Sequence, residues 1–132
     1  MGGGRGQDTL LANVRADTLW GQAGHDTLAG NLGADVMTGG AGRDEFRFFL
    51  AADSRTGAAD LITDFTPGTD RIDLRALDLD YDGNRFSGED SLIWRHVGRE
   101  THVLADLDGD GRAEMTIRLS GQLSLDGDDF LL

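Results

Sequence analysis

Large apolar residues recur at every ninth position through the first third of the chain: Leu10, Leu19, Leu28, Met37 and Phe46. An aspartate stands two places before each of them. Asp8, Asp17, Asp26, Asp35 and Asp44 thereby divide residues 3 to 47 into five gapless copies, GGRGQDTLL, ANVRADTLW, GQAGHDTLA, GNLGADVMT and GGAGRDEFR. The first six places of a copy are rich in glycine, which takes positive φ freely and turns sharply, and the last three suit a short strand. Turn, strand, turn, strand makes one coil of eighteen residues. Strand side chains alternate, so the five apolar residues face a thin core between two sheets, with odd copies stacked on one sheet and even copies on the other. Trp20, next to the inward Leu19, is expected outside.

The period ends at Arg47. Phe48-Phe49-Leu50 prolongs the last strand, and residues 51–59 read as a loop or short helical turn. Residues 60–74 predict two strands joined through Thr66-Pro67-Gly68-Thr69, with proline and glycine where a type II turn needs them. Residues 78–90 are acidic, polar and read as irregular. Residues 92–97 and 100–105 alternate around Gly98-Arg99 as a hairpin, and Met115 to Leu119 forms a further strand. The chain is therefore expected to be all-β, with a repeat roll over 3–47 and a β-rich cap over 48–132 in one folded unit.

Composition adds charge to this outline. The 132 residues include 20 glycines, one proline and no cysteine, and carry a net charge of −12. That charge argues against nucleic acid and anionic membranes as partners, and no apolar run is long enough to insert in a membrane. It favours cations. Tight turns stacked on one another bring carbonyl oxygens and aspartate carboxylates close together, an arrangement that repels itself unless a cation sits there. Hard oxygen ligands in a flexible loop fit Ca²⁺ better than Mg²⁺ or a transition metal. The three histidines are scattered.

The repeat resembles the glycine-rich nonapeptide of the RTX (repeats-in-toxin) family, G-G-x-G-x-D-x-U-x with U apolar, which forms a calcium-bound parallel β-roll. Gly3, Gly4, Gly6, Gly21, Gly24, Gly30, Gly33, Gly39, Gly40 and Gly42 sit where that pattern wants them. In the family each ion lies between a loop and the loop one coil later. The earlier loop supplies the carbonyls of its second and fourth residues and its aspartate, and the later loop supplies the carbonyls of its first and third residues and its aspartate. The resemblance thus implies a first site of Gly4, Gly6 and Asp8 with Gly21, Ala23 and Asp26. It implies a second of Asn13, Arg15 and Asp17 with Gly30, Leu32 and Asp35, and a third of Gln22, Gly24 and Asp26 with Gly39, Ala41 and Asp44. Arg15 replaces a glycine, and a positive φ there would cost about 1–2 kcal/mol, so the second site is expected to be the weakest.

Further carboxylates extend these rows. Asp53 falls where a sixth copy would place its aspartate, opposite Asn31, Gly33 and Asp35, and Asp60 is the candidate to face Gly40, Gly42 and Asp44. Asp78-x-Asp80-x-Asp82-Gly83 with Glu89 twelfth meets the formal EF-hand spacing, yet Ser91 to Trp94 reads as a strand where a helix is required. Asp106, Asp108, Asp110 and Glu114 gather four carboxylates at one tight turn, open to calcium binding or to an acidic hairpin turn.

Residues 39–74 are similar to the segment that closes the repeats in secreted serralysin-type metalloproteases and related RTX exoproteins. The ending Asp126-Gly-Asp-Asp-Phe-Leu-Leu132 resembles the uncleaved export signal read by type I (ABC) secretion machinery. The likeness implies a non-catalytic, calcium-binding C-terminal module, secreted to the extracellular space without an N-terminal signal peptide and attached to an upstream domain. Deleting Phe130, Leu131 and Leu132 is expected to stop export while leaving the roll folded. No His-Glu-x-x-His, nucleophile elbow or phosphate loop is present, and the expectation is that the module is not an enzyme. The alternative is a module that binds a polysaccharide or a neighbouring domain, with Trp20 and Trp94 as contacts.

Overall fold

The computed structural model describes every residue except Asn84. β1 (Gly2–Arg5), β3 (Thr18–Ala23) and β5 (Val36–Ala41) pair in parallel in one sheet, and β2 (Thr9–Leu11), β4 (Thr27–Ala29) and β6 (Glu45–Arg47) in the other. Even copies thus lie in one sheet and odd copies in its partner. Leu19 stands beside Met37, and Leu28 lies between Leu10 and Phe46, with all five between 0% and 3% exposed. The nine-residue period has become a two-sheet parallel coil.

The coil runs past Arg47, where the period stops. β7 (Asp60–Ile62) adds to β5 and β8 (Arg71–Asp73) adds to β6, which brings Ile62 beside Met37 and Ile72 beside Phe46. The turn at Thr66 to Thr69, closed by the Thr69 N–H on the Thr66 carbonyl at 3.1 Å, therefore crosses between sheets and completes one more coil. Arg47 Nε on β6 meets Asp73 on β8 at 3.0 Å, and Arg75 Nη2 reaches the same carboxylate at 2.8 Å. These guanidinium contacts, Arg75 foremost, hold the Asp73 carboxyl well below the usual carboxylate range.

β9 (Asp80–Gly83), β10 (Ser91–Val97), β11 (Glu100–Asp106) and β12 (Met115–Ser120) form the cap. The predicted hairpin is β10–β11, with Val97 opposite Glu100 across Gly98-Arg99. β12 pairs antiparallel with β11 and parallel with β7, so the cap is a continuation of the even-copy sheet, in the order β1-β3-β5-β7-β12-β11-β10-β9. The stretch expected to be irregular contributes β9, which lies parallel to β10 and covers its free edge.

The odd-copy sheet ends with β13 (Phe130–Leu131), parallel to β8. Phe130 is 5% exposed, belongs to the main core and stacks on Tyr81 with ring centroids 5.5 Å apart. The last residues are thus part of the fold, closing the free edge of the odd-copy sheet. Among the described residues there is no α-helix, only short 3-10 turns at Ala51–Ser54, Arg75–Leu77 and Gly127–Asp129. The Asp78–Glu89 stretch, which includes the undescribed Asn84, has no EF-hand helices on either side.

Candidate metal centre

Stacking the coils lines up the aspartates in two rows along the edges of the roll. In the first row the Asp8 N–H donates to Asp26 Oδ1 at 2.9 Å, the Asp26 N–H to Asp44 Oδ1 at 3.0 Å, and the Asp44 N–H to Asp70 Oδ1 at 3.0 Å. In the second row the Asp17 N–H donates to Asp35 Oδ1 at 2.7 Å and the Asp35 N–H to Asp60 Oδ1 at 2.8 Å. Each carboxylate is oriented by the coil before it. That fixes Oδ1 and leaves Oδ2 pointing elsewhere.

Oδ2 of Asp8, Asp26, Asp35, Asp44 and Asp60 is buried and accepts no hydrogen bond among the described residues. A buried carboxylate oxygen without a partner is costly, and a row of them repels itself. Burial pushes the Asp60 carboxyl up to about 8, helped by the nearby Asp35 and Asp53 charges and opposed by the Asp35 N–H. Burial likewise raises Asp35, Asp44 and Asp70. Hard, unpaired carboxylate oxygens lined up in two rows are donors that calcium ions satisfy, so the residues fit that ion.

Backbone carbonyls converge on the same places. A methyl group built on Gly3 would lie 2.8 Å from both Asp8 Oδ2 and the Gly21 carbonyl, and one on Gly21 would lie 2.5 Å from both Asp26 Oδ2 and the Gly39 carbonyl. The missing side chains leave a cradle shared by an aspartate and the loop one coil later. The Gly6 carbonyl faces Gly24, and the Gln22 and Gly24 carbonyls face Gly40 and Gly42. Ala23 and Ala41 carbonyls accept the Gly6 and Gly24 N–H groups at 2.9 and 2.8 Å, which leaves each a second lone pair. The first and third sequence-derived groups, including Gly4 and Asp44, are therefore brought together by the coil.

The second group is built differently. Among the described residues the non-glycine positive φ angles belong to Gln22, Asn31, Asp78 and Asp90, so neither Asn13 nor Arg15 adopts the conformation assumed for them. Instead the Asn13 N–H donates to Asp17 Oδ2 at 3.3 Å and the Arg15 N–H to Asn13 Oδ1 at 3.2 Å. Asparagine supplies a side-chain turn where the other copies rely on glycine. Arg15 is unstrained, and its carbonyl still faces Gly33. Gly30 abuts Asp35 Oδ2, while Leu32 is 37% exposed.

Beyond the repeats the rows are closed by other residues than the nine-residue count selects. Asp60 lies against Asp35 in the second row, away from Gly40, Gly42 and Asp44, because the coil that follows Asp35 returns after 25 residues instead of 18. Asp53 stands close enough to raise both Asp35 and Asp60, but its Oδ2 accepts the Phe49 and Leu50 N–H groups at 2.8 and 3.0 Å. Asp70 takes the place expected of Asp60. Asp64, also missed, receives the Gly39 and Gly40 N–H groups at 2.9 and 2.7 Å. Only spacing could have located these two, and the longer coils remove that signal.

In the cap, Asp106, Asp108, Asp110 and Glu114 each place a carboxylate oxygen within 4.8 Å of the others. Buried Asp106 accepts the Gly109 and Gly111 N–H groups at 2.8 and 2.7 Å, and Glu114 accepts the Leu107 N–H at 2.7 Å. Trp94 turns inward, its Nε1–H donating to the Tyr81 hydroxyl at 3.0 Å, whereas Trp20 is 49% exposed on the outer face of β3.

Two parallel sheets wound from nine-residue turns, with aspartate rows along both edges, define a β-roll repeat module. The family described as Peptidase M10 serralysin C terminal matches residues 1–132, and the chain belongs to that family. Its fold is similar to the solution structure of the AlgE6R3 subunit of the Azotobacter vinelandii mannuronan C5-epimerase, at 30% identity and a TM-score of 0.65, over 98% of this chain and 80% of that one. The AlgE6R2 subunit of the same epimerase is similar at 29% identity and a TM-score of 0.51, over 93% of this chain and 91% of that one. No curated protein matches the sequence. The family and the acidic group at Asp106 to Glu114 both point to calcium.

Proposed function

We propose that this module folds on binding calcium outside the cell, with the ions held between successive coils of the roll. The observation that carries the reading is the set of five buried, unpartnered Oδ2 atoms in two stacked rows. Asp8, Asp26 and Asp44 with the carbonyls around them form the stronger row. The second row, from Asp17 through Asp35 to Asp60 with Asp53 beside it, is partly closed by the Asn13 turn. Calorimetric titration of the metal-stripped chain with calcium should release heats of binding and folding together, and the absence of any binding heat at millimolar calcium would overturn the reading.

Export through a type I system fits the same physics. Without calcium an acidic, glycine-rich chain stays unfolded, so Phe130, Leu131 and Leu132 are open to the transporter inside the cell. Folding outside then buries Phe130 against Tyr81. The module on this view serves the export and folding of an upstream domain and carries no catalysis itself. A passenger fused ahead of residue 1 should leave cells that express the transporter, and its retention would contradict the assignment.

A second reading, binding of a polysaccharide, is supported by a groove on the cap that carries no carboxylate and several arginines. The similar epimerase subunits come from an enzyme named for mannuronan, which is in keeping with it.

A further inference from the structure

The groove lies on the outer face of the eight-stranded sheet and has a volume of about 1000 Å³. β-Strand alternation and register build it. Arg95, His102 and Arg118 stand directly across from one another on β10, β11 and β12, and Ile93, Leu104 and Thr116 form the neighbouring row. Ile93 and Leu104 are only 4% and 5% exposed although they lie outside the main core, so they form an apolar floor. Arg85, Phe86 and Arg112 also line it, with small residues around Gly57 and Ala113.

Charge sets this place apart. The chain has 24 acidic and 12 basic residues, yet the groove lining holds four arginines and not one aspartate or glutamate. Glu100, at the end of the row, accepts Arg118 Nε and Nη2 at 2.8 and 2.7 Å and lies 3.3 Å from His102, so those two are already engaged. Arg85, Arg95 and Arg112 form no ion pair among the described residues. An unpaired guanidinium is a rigid fork that matches a carboxylate. Strands lie about 4.8 Å apart, so the row from Arg95 to Arg118 spans about 10 Å, the scale of two sugar rings.

We infer that this groove binds a carboxylated polysaccharide, a chain of uronic acids, with Arg95 and Arg112 gripping carboxylates and Ile93, Leu104 and Phe86 under the sugar faces. The inference rests on the polysaccharide reading above and locates it. An open groove suits a polymer better than a small metabolite. A strong polyanion such as nucleic acid is repelled by the charge of −12, while a uronate chain is less densely charged and offers apolar ring faces.

The test is calorimetric titration of the calcium-loaded chain with short oligomannuronate, too short to gel with calcium, beside a neutral dextran oligomer and oligoglutamate of equal length. Oligomannuronate should bind and the other two should not. Arg95→Ala and Arg112→Ala, both at exposed side chains, should each weaken binding about tenfold, while Arg43→Ala on the roll should change nothing. Circular dichroism in calcium checks that each variant is folded. Binding that survives both groove substitutions overturns the site and leaves the polysaccharide reading standing. Equal binding of dextran overturns the carboxylate specificity, equal binding of oligoglutamate overturns the sugar, and no binding of any oligomer overturns both the site and the reading beneath it.

Discussion

The backbone N–H of Asp35 donates to Oδ1 of Asp60 at 2.8 Å, across 25 residues, and Oδ2 of Asp60 is buried without a partner. This pair joins the last regular coil to the longer coil that follows it. It makes Asp60 the most strongly perturbed carboxyl in the second row, with a folded value of about 8 set first by burial.

Protons should therefore compete with calcium. An unfolded aspartate titrates at about 3.9, so a roll already folded by calcium in its first row, with the Asp60 site still empty, holds a proton that the unfolded chain has lost. Its contribution to stability is fully present below the unfolded value and is lost as pH rises through about 8. Calcium binding reverses this dependence, because the ion must displace the proton. Apparent calcium affinity should fall by up to about tenfold per pH unit below the folded value for the site that uses Asp60. Titrations in buffers of different ionisation heat would detect the released proton, and a binding heat independent of buffer would count against the arrangement.

Asp26 is the residue that the two proposed sites of the first row share, and it is held between its neighbours: its Oδ1 takes the Asp8 N–H and its own N–H goes to Asp44. A site with Kd near 10⁻⁴ M adds about 1.4 kcal/mol at about 1 mM calcium. Asp26→Asn should remove about twice that from stability at about 1 mM calcium, and less as the calcium concentration is lowered. Urea unfolding at a series of calcium concentrations measures this dependence, and a loss that stays the same at every concentration would mean that Asp26 is structural only.

Gly24 has φ +134°, and a methyl group there would run into the Gly6 carbonyl. Gly24→Ala should cost about 3 kcal/mol or more, from strain and overlap together. At Gly4, φ is +109° but no atom lies within 4 Å, so Gly4→Ala should cost only the strain, about 1–2 kcal/mol. Comparable losses in thermal unfolding would show that the carbonyl is not held against Gly24.

Arg15→Gly now carries the sign opposite to the one the repeat pattern implies. With Arg15 outside positive φ, glycine only adds freedom to the unfolded chain, costing about 0.4–1 kcal/mol. Improved calcium affinity in this variant would restore the original register for the loop.

The repeats were legible in the sequence because their spacing is rigid: Leu10 to Phe46 form the core and Asp8 to Asp44 form the rows from periodicity alone. The backbone of the second loop departs from the pattern for a chemical reason, since asparagine at position 13 builds its turn with a side chain and keeps Arg15 out of the glycine conformation. Asp60, Asp64 and Asp70 were misplaced or missed because the last coils are longer, so sequence distance no longer tracks position in the stack. The role of Phe130 was hidden for another reason. A parallel edge strand takes its partner, here β8, from far away in the chain.

The central claim, that calcium makes the fold, is tested most directly by far-ultraviolet circular dichroism of the full chain in excess EGTA and then in millimolar calcium. The account predicts a disordered spectrum in EGTA that converts to a β-sheet spectrum when calcium is restored. A β-sheet spectrum in EGTA identical to that in calcium would contradict it.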